Sequence, residues 1–222
     1  LPVIPTLGAV VFGGVNWTPI TTGYLSHWIE MYLGPVTRIV LPGWSHSIRL
    51  EGMVANEIPR WVFSGPCDSH LTGDVTRPWT PTFDLTLPRA ARTMRVVLDG
   101  VAIIAKAVPL IDLGLDVKPH TSVTGAHGKD GHTVVGRMSM GTIKIDMEDG
   151  ADEIERFEGG QVMSLLVQHG DTAPGCVAAF MPRIQYTGAP IALEEGTYVH
   201  EIPFRILAST TTGVADLTVT AF

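Results

Sequence analysis

The sequence predicts a mainly β fold, a sandwich or barrel with one short helix, on three observations. Short runs rich in β-branched and aromatic residues recur along the chain, and several alternate apolar with polar positions. Glycine and proline punctuate them, 24 and 16 in 222 residues, as expected where tight turns join many strands. Asp99-Gly100, set between two apolar runs, is a strong hairpin signal. Hydrophobic residues make up 45% and charged residues 17%, which suits a folded chain with one large β domain or two small ones.

In chain order, residues 1–25 read as an N-terminal arm containing the apolar run Ala9-Val10-Val11-Phe12, and 26–222 as the β-rich domain. Tyr24, Leu25, Trp28, Ile29, Tyr32 and Leu33 have helical spacing. Trp28 to Leu33 is nevertheless rich in β formers, and Gly34-Pro35 leads into Val36 to Val40, so a hairpin is the better reading. Trp44 to Leu50 alternates as a strand. Glu51 to Pro59 reads as a loop, and Arg60 to Gly65 as the return strand. Pro66 to Pro81 is dense in turn formers and reads as a surface loop, with two halves of the domain meeting near 66–92.

Thr93 to Leu98 pairs through Asp99-Gly100 with Val101 to Leu110. Ser122 to His132 reads as a glycine-rich loop and Gly141 to Met147 as an alternating strand. Glu148 to Glu158 is the expected helix. From Gln161 to Leu207 the chain reads strand, turn, long strand, turn, strand, with the loop His169 to Gly175 between the first two. Ala215 to Phe222 then closes the sheet. A weak repeat relates Ser47–Pro66 to Ser164–Pro190, each a strand, glycine, loop and strand ending in an aromatic and a Gly/Pro turn. Duplication and chance likeness of two hairpins both account for it.

Tests for chemistry return no catalytic, cofactor or metal site. Cys67-Asp68-Ser69-His70 offers two metal ligands without a second spaced pair. His120, His127 and His132 lie in a glycine-rich region without a partner carboxylate motif. Gly125-Ala126-His127-Gly128-Lys129 lacks the spacing of a phosphate loop. Gly43-Trp44-Ser45-His46-Ser47 lacks the final glycine of a nucleophile elbow. Asp146, Glu148, Asp149, Asp152, Glu153, Glu155 and Glu158 form an acidic run without calcium-loop spacing, which suits a solvated face.

The net charge of −7 disfavours a nucleic-acid-binding surface. No run approaches the roughly 18 apolar residues of a membrane span, and the chain start lacks the basic region of a signal peptide. With only Cys67 and Cys176, a reducing compartment is the simpler expectation.

Taken together, several stretches resemble tail tube proteins of long-tailed bacteriophages with flexible, non-contractile tails. They are Trp28 to Gly65, Val108-Pro109-Leu110-Ile111-Asp112-Leu113-Gly114 after the turn at Asp99-Gly100, Arg137 to Met147, the hairpin Val162 to Tyr186, and Gly196 to Leu207 as a closing strand. The resemblance covers most of the chain after Ser26, although no single residue is diagnostic.

It implies a virion protein of the tail, assembled in the host bacterial cytoplasm and without enzymatic activity. Its partners would be itself, in stacked hexameric or trimeric pseudo-hexameric rings, and other tail proteins. DNA would pass through the channel without specific binding. Edge strands would pair between neighbours. The implied assembly loops contain His169, Asp171, Pro174 and Gly175, and Gly125, Gly128 and Lys129. An acidic lumen face of Asp146, Glu148, Asp152 and Glu155 would repel phosphates. Two other readings remain open: a distal tail or baseplate ring component, and a carbohydrate- or ligand-binding β-sandwich using Trp44, Trp61 and Trp79.

Overall fold

The computed structural model describes residues 15–17, 27–33, 37–44, 47–54, 56–67, 71–74, 94–124, 129–146, 151–170, 176–208 and 217–221. Expectations for most of the N-terminal arm, for 75–93 and for the loops 125–128 and 171–175 lie outside the described residues. Within them the fold is mostly β, with antiparallel pairing throughout and one helix.

β1 (Val15–Trp17) pairs with β17 (Thr218–Ala221), so the described part of the N-terminal arm is a strand. β2 (His27–Leu33) and β3 (Thr37–Trp44) form the expected hairpin, because Gly34-Pro35 breaks the chain where helical spacing would need it continuous. β6 (Leu71–Asp74) adds to β3 and completes a three-stranded sheet. That corrects the reading of Pro66 to Pro81 as loop alone: a four-residue strand containing Gly73 is too short to show a period.

The large sheet holds the core. Its strands are β4 (Ser47–Val54), β5 (Arg60–Ser64), β7 (Met94–Leu98), β8 (Val101–Ile103), β9 (Ala105–Asp112), β12 (Met140–Asp146), β13 (Val162–His169), β14 (Val177–Tyr186) and β16 (Thr197–Ile206). They lie in the order β5-β4-β9-β12-β16-β14-β13-β7-β8. β15 (Ile191–Glu194) adds to β16, and β17 pairs along the first half of β14.

One residue, Ile104, joins the last strand of that path to its third, β9. A single residue spans only ~3.8 Å, so the sheet rolls back on itself. Its inner face encloses one cluster that includes Leu50, Met53, Val108, Ile143, Leu165, Met181, Ile202 and Phe204. Burying each such side chain stabilises the fold by roughly 1.5–3 kcal/mol. This is the barrel-like β fold the sequence predicts.

Glycine and proline set the bends. Gly141 on β12 faces the Phe204 ring, and any Cβ there would fall on that ring and 2.9 Å from the Leu110 carbonyl oxygen. β14 changes partner along one edge, pairing through Val177–Phe180 with β17 and through Ile184–Tyr186 with β16. Pro182, which has no N–H to donate, occupies the change-over. Pro109 of β9 sits at a register shift against β12, opposite the stretch between Thr142 and Lys144.

Four further expectations change. β4 continues to Val54 where Glu51 to Pro59 reads as loop. Gly52 has φ +79°, and Leu50 and Met53 on either side are both buried; the irregularity breaks the alternation. β15 is new: Ile191-Ala192-Leu193, between Pro190 and an acidic turn, is too short a run to show a period in the sequence. Gly196 to Leu207 is an interior strand of the sheet, between β12 and β14, rather than a closing one. The loop Ser122 to His132 is shorter than expected: β10 (Leu115–Thr121) pairs with β11 (Lys129–Arg137), so Lys129 to His132 are strand. The helix α1 (Ala151–Glu158) falls where the acidic run predicts it.

Candidate assembly surfaces

The β10–β11 hairpin is a two-stranded sheet of its own, and among the described residues neither strand pairs with any other. Isolated two-stranded hairpins are marginal in water, so its root has to hold it. Gly114 has φ +57°, and a Cβ there would fall on the Met138 carbonyl. Met138 N–H donates to the Gly114 carbonyl at 2.9 Å. Gly114 N–H donates to Asp112 Oδ1 at 2.8 Å, and Leu115 N–H to Ser47 Oγ at 3.2 Å. Ser139 Oγ–H donates to the Leu113 carbonyl at 2.9 Å. The arm therefore leaves the barrel through a fixed base, where Met138 is exposed, and carries exposed Val123 and Val135 into solvent.

The opposite end of the same strands is built differently. Met140, first in β12, lies beside Asp112 and Arg205, and Ile145 lies beside Ala105 and His200. The arm thus grows from one end of β9, β12 and β16, and the β15–β16 hairpin sits at the other. The turn between β15 and β16 has Glu195 at φ 51° and Gly196 at φ 82°, the pattern of a two-residue hairpin loop.

Leu193 pairs with Tyr198 and Ile191 with His200, continuing the core face of β16 beyond the core. There Ile191, Leu193 and Tyr198 are 48%, 66% and 58% exposed. On the other face Lys144 Nζ reaches Glu194 at 3.0 Å and Glu201 at 3.9 Å, tying three strands together. The hydrogen bond from Lys144 holds the Glu194 carboxyl below its ordinary value, and the same bond raises Lys144.

α1 is fixed to the barrel through β14, by a buried polar group opposite Tyr186, which pairs with Phe204 toward the arm end of β16. Glu153, 2% exposed, accepts from the Tyr186 hydroxyl at 2.6 Å and pairs with Arg156. Burial pushes the Tyr186 hydroxyl well above the ordinary phenol range, and the adjacent carboxylate adds to the shift. Asp152 and Glu155, on the helix surface, are exposed. His200, fully buried between Ile145 and Ile191 toward the β15 end of β16, has neither ring nitrogen hydrogen-bonded among the described residues.

The residues anticipated from sequence scatter. His169 lies on β13 rather than in a loop, buried and opposite Val177 and Met94. Lys129 is the first residue of β11. Asp146 is half-buried at the end of β12 with Lys106 at 3.8 Å, so its charge is matched. Asp171, Pro174, Gly175, Gly125, Gly128 and Glu148 lie outside the described residues, as does Trp79. Trp61 lies opposite Leu50 on β5, and Trp44 ends β3.

What sequence reasoning missed is the apolar face of β15–β16 and the edge of β8. Val101-Ala102-Ile103-Ile104 carries no charge, and Val101 and Ile104 are exposed. Of other features, an open groove of about 620 Å³ runs over Glu51, Gly52, Val54, Ile58, Pro109 and Leu110, with Arg60 bonded to Glu51 at 3.3 Å. Among the described residues no group of three or more His, Cys, Asp or Glu is placed to hold a metal ion.

The arrangement offers edges, an arm and an exposed apolar face. No family model and no curated protein matches the sequence. Among solved structures, the chain is similar to the cap that terminates the tube of an anti-feeding prophage, seen by cryo-EM. That likeness has 12% identity and a TM-score of 0.43 over 64% of this chain and 97% of the other.

Proposed function

We propose that this chain is a virion structural protein, the major tail tube subunit of a bacteriophage. It forms stacked rings, hexameric or trimeric pseudo-hexameric, in the tail, after assembly in the bacterial cytoplasm. DNA passes through the channel without specific binding, and other tail proteins meet the tube at its ends. The observation that carries this reading is the unprotected edge of β8. Free β edges in proteins that stay monomeric are blunted by short length, lysine, proline, bulges or a covering element. Among the described residues β8, three residues long, pairs with β7 alone, carries neither charge nor proline, and is exposed at Val101, as is the adjoining Ile104. A second copy is the partner that such an edge accepts. The exposed acids of α1, Asp152 and Glu155, supply the phosphate-repelling lining.

The test is the double variant Val101→Lys/Ile104→Lys, measured by sedimentation velocity beside the parent. The reading expects ring-sized species from the parent and monomer from the variant, with unchanged circular dichroism. Ring-sized species of equal abundance from both would remove β8 from the assembly. Single rings from the parent that never lengthen into tubes would favour a distal tail or baseplate ring component.

A further inference from the structure

We infer that the β10–β11 arm of one copy docks on the Ile191/Leu193/Tyr198 face of the next, making a head-to-tail contact along the strands. The inference rests on the self-assembly reading above and names the axial contact within it. Three observations converge. The first is placement: β16 spans ten residues, about 33 Å, with the arm's root at one end and the apolar face at the other. The arm stands off as a separate sheet, so the contact is between copies.

The second is chemistry. Val123 and Val135 on the arm are exposed, and the receiving face exposes two aliphatic side chains and the tyrosine Tyr198. The third is charge. Leu115 to Arg137 carries three basic against two acidic residues within a chain of net charge −7. The receiving hairpin turns through Glu195 and Gly196, and on its other face one lysine, Lys144, sits against both Glu194 and Glu201, so the hairpin stays net negative. Like charge therefore does not oppose docking of the arm as it would on most of this surface. A contact between two different patches is heterologous, so it repeats and builds a stack instead of closing as a dimer.

The experiment places a photo-crosslinking benzoylphenylalanine at Val135 in the full chain. The products are mapped by mass spectrometry and imaged by negative stain. The expected result is an intermolecular link to the segment Ile191–Tyr198. That link should be lost in Leu193→Asp and in Tyr198→Asp, both exposed positions that leave the fold intact, with rings kept and tubes lost. Each aspartate should weaken the contact about tenfold or more. Assemblies that form with the link elsewhere, or tubes unchanged by both aspartates, overturn this contact and leave ring assembly standing. A parent chain that never self-associates overturns both.

Discussion

Glu153 is the residue on which α1 depends. A carboxylate this deeply buried is tolerable only while its acceptors are filled, and Tyr186 and Arg156 fill them. Tyr186→Phe keeps the ring and removes the donor, so it should cost about 1–3 kcal/mol and speed hydrogen exchange in 151–158. Chemical denaturation and exchange mass spectrometry check this. The neutral phenol is the folded form, because its hydroxyl is raised. Its contribution is full below the ordinary tyrosine range and is lost as pH climbs through the raised value. An ultraviolet titration should therefore show one tyrosine that ionises only as the chain unfolds.

His200 makes the opposite case. Its imidazole is buried without a hydrogen bond among the described residues, so His200→Leu should be neutral or stabilising by about 1 kcal/mol. A clear loss of stability would reveal a partner for that ring. Gly141→Ala should cost about 1–3 kcal/mol, since the Phe204 ring and the Leu110 backbone both crowd the new methyl.

Among the elements, the edge hairpin β15–β16 owes its register to Lys144 as well as to its turn. Lys144→Met should raise hydrogen exchange in 191–194 without unfolding the barrel. The pH dependence follows from the two shifts. Glu194 is lowered, so its contribution is present above its ordinary 4.5 and fades as pH falls through the lowered value. Lys144 is raised, so its contribution is present below 10.5 and fades as pH rises beyond it. Exchange in 191–194 corrected for intrinsic rate should thus be slowest between those limits. The arm has a comparable weak point in Gly114, where any side chain collides with Met138 and the backbone is left-handed. Gly114→Ala should loosen 115–137 while sparing the core.

Hairpins joined by strong turn chemistry were legible before the structure: β7–β8 through Asp99-Gly100, β2–β3 through Gly34-Pro35, and the β13–β14 pair. Elements whose identity depends on distant partners were not. β6 exists because β3 offers it an edge, and β15 because β16 does; each has four residues and no periodicity of its own. The strand at Gly52 is broken to the eye by a left-handed glycine that the sheet accommodates. The candidate surfaces divide in the same way. The glycine-rich stretch from Ser122 marked the arm, although half of what reads as loop is strand. The face of Ile191, Leu193 and Tyr198 arises only when β15 folds against β16. His169 looked like a loop residue because a turn follows it, yet it is fixed between two neighbouring strands.

The whole molecule is a barrel-like sheet rolled around one core, with three exposed apolar features left over. They are an open apolar edge at β8, an arm at one end of β9, β12 and β16, and an apolar face at the other. Each is a liability in a monomer and a use in a ring that stacks. The measurement that tests this most directly is negative-stain electron microscopy of the unmodified protein across a concentration series. The account predicts rings that lengthen into hollow tubes as concentration rises. Isolated particles of 23.9 kDa at every concentration would contradict it.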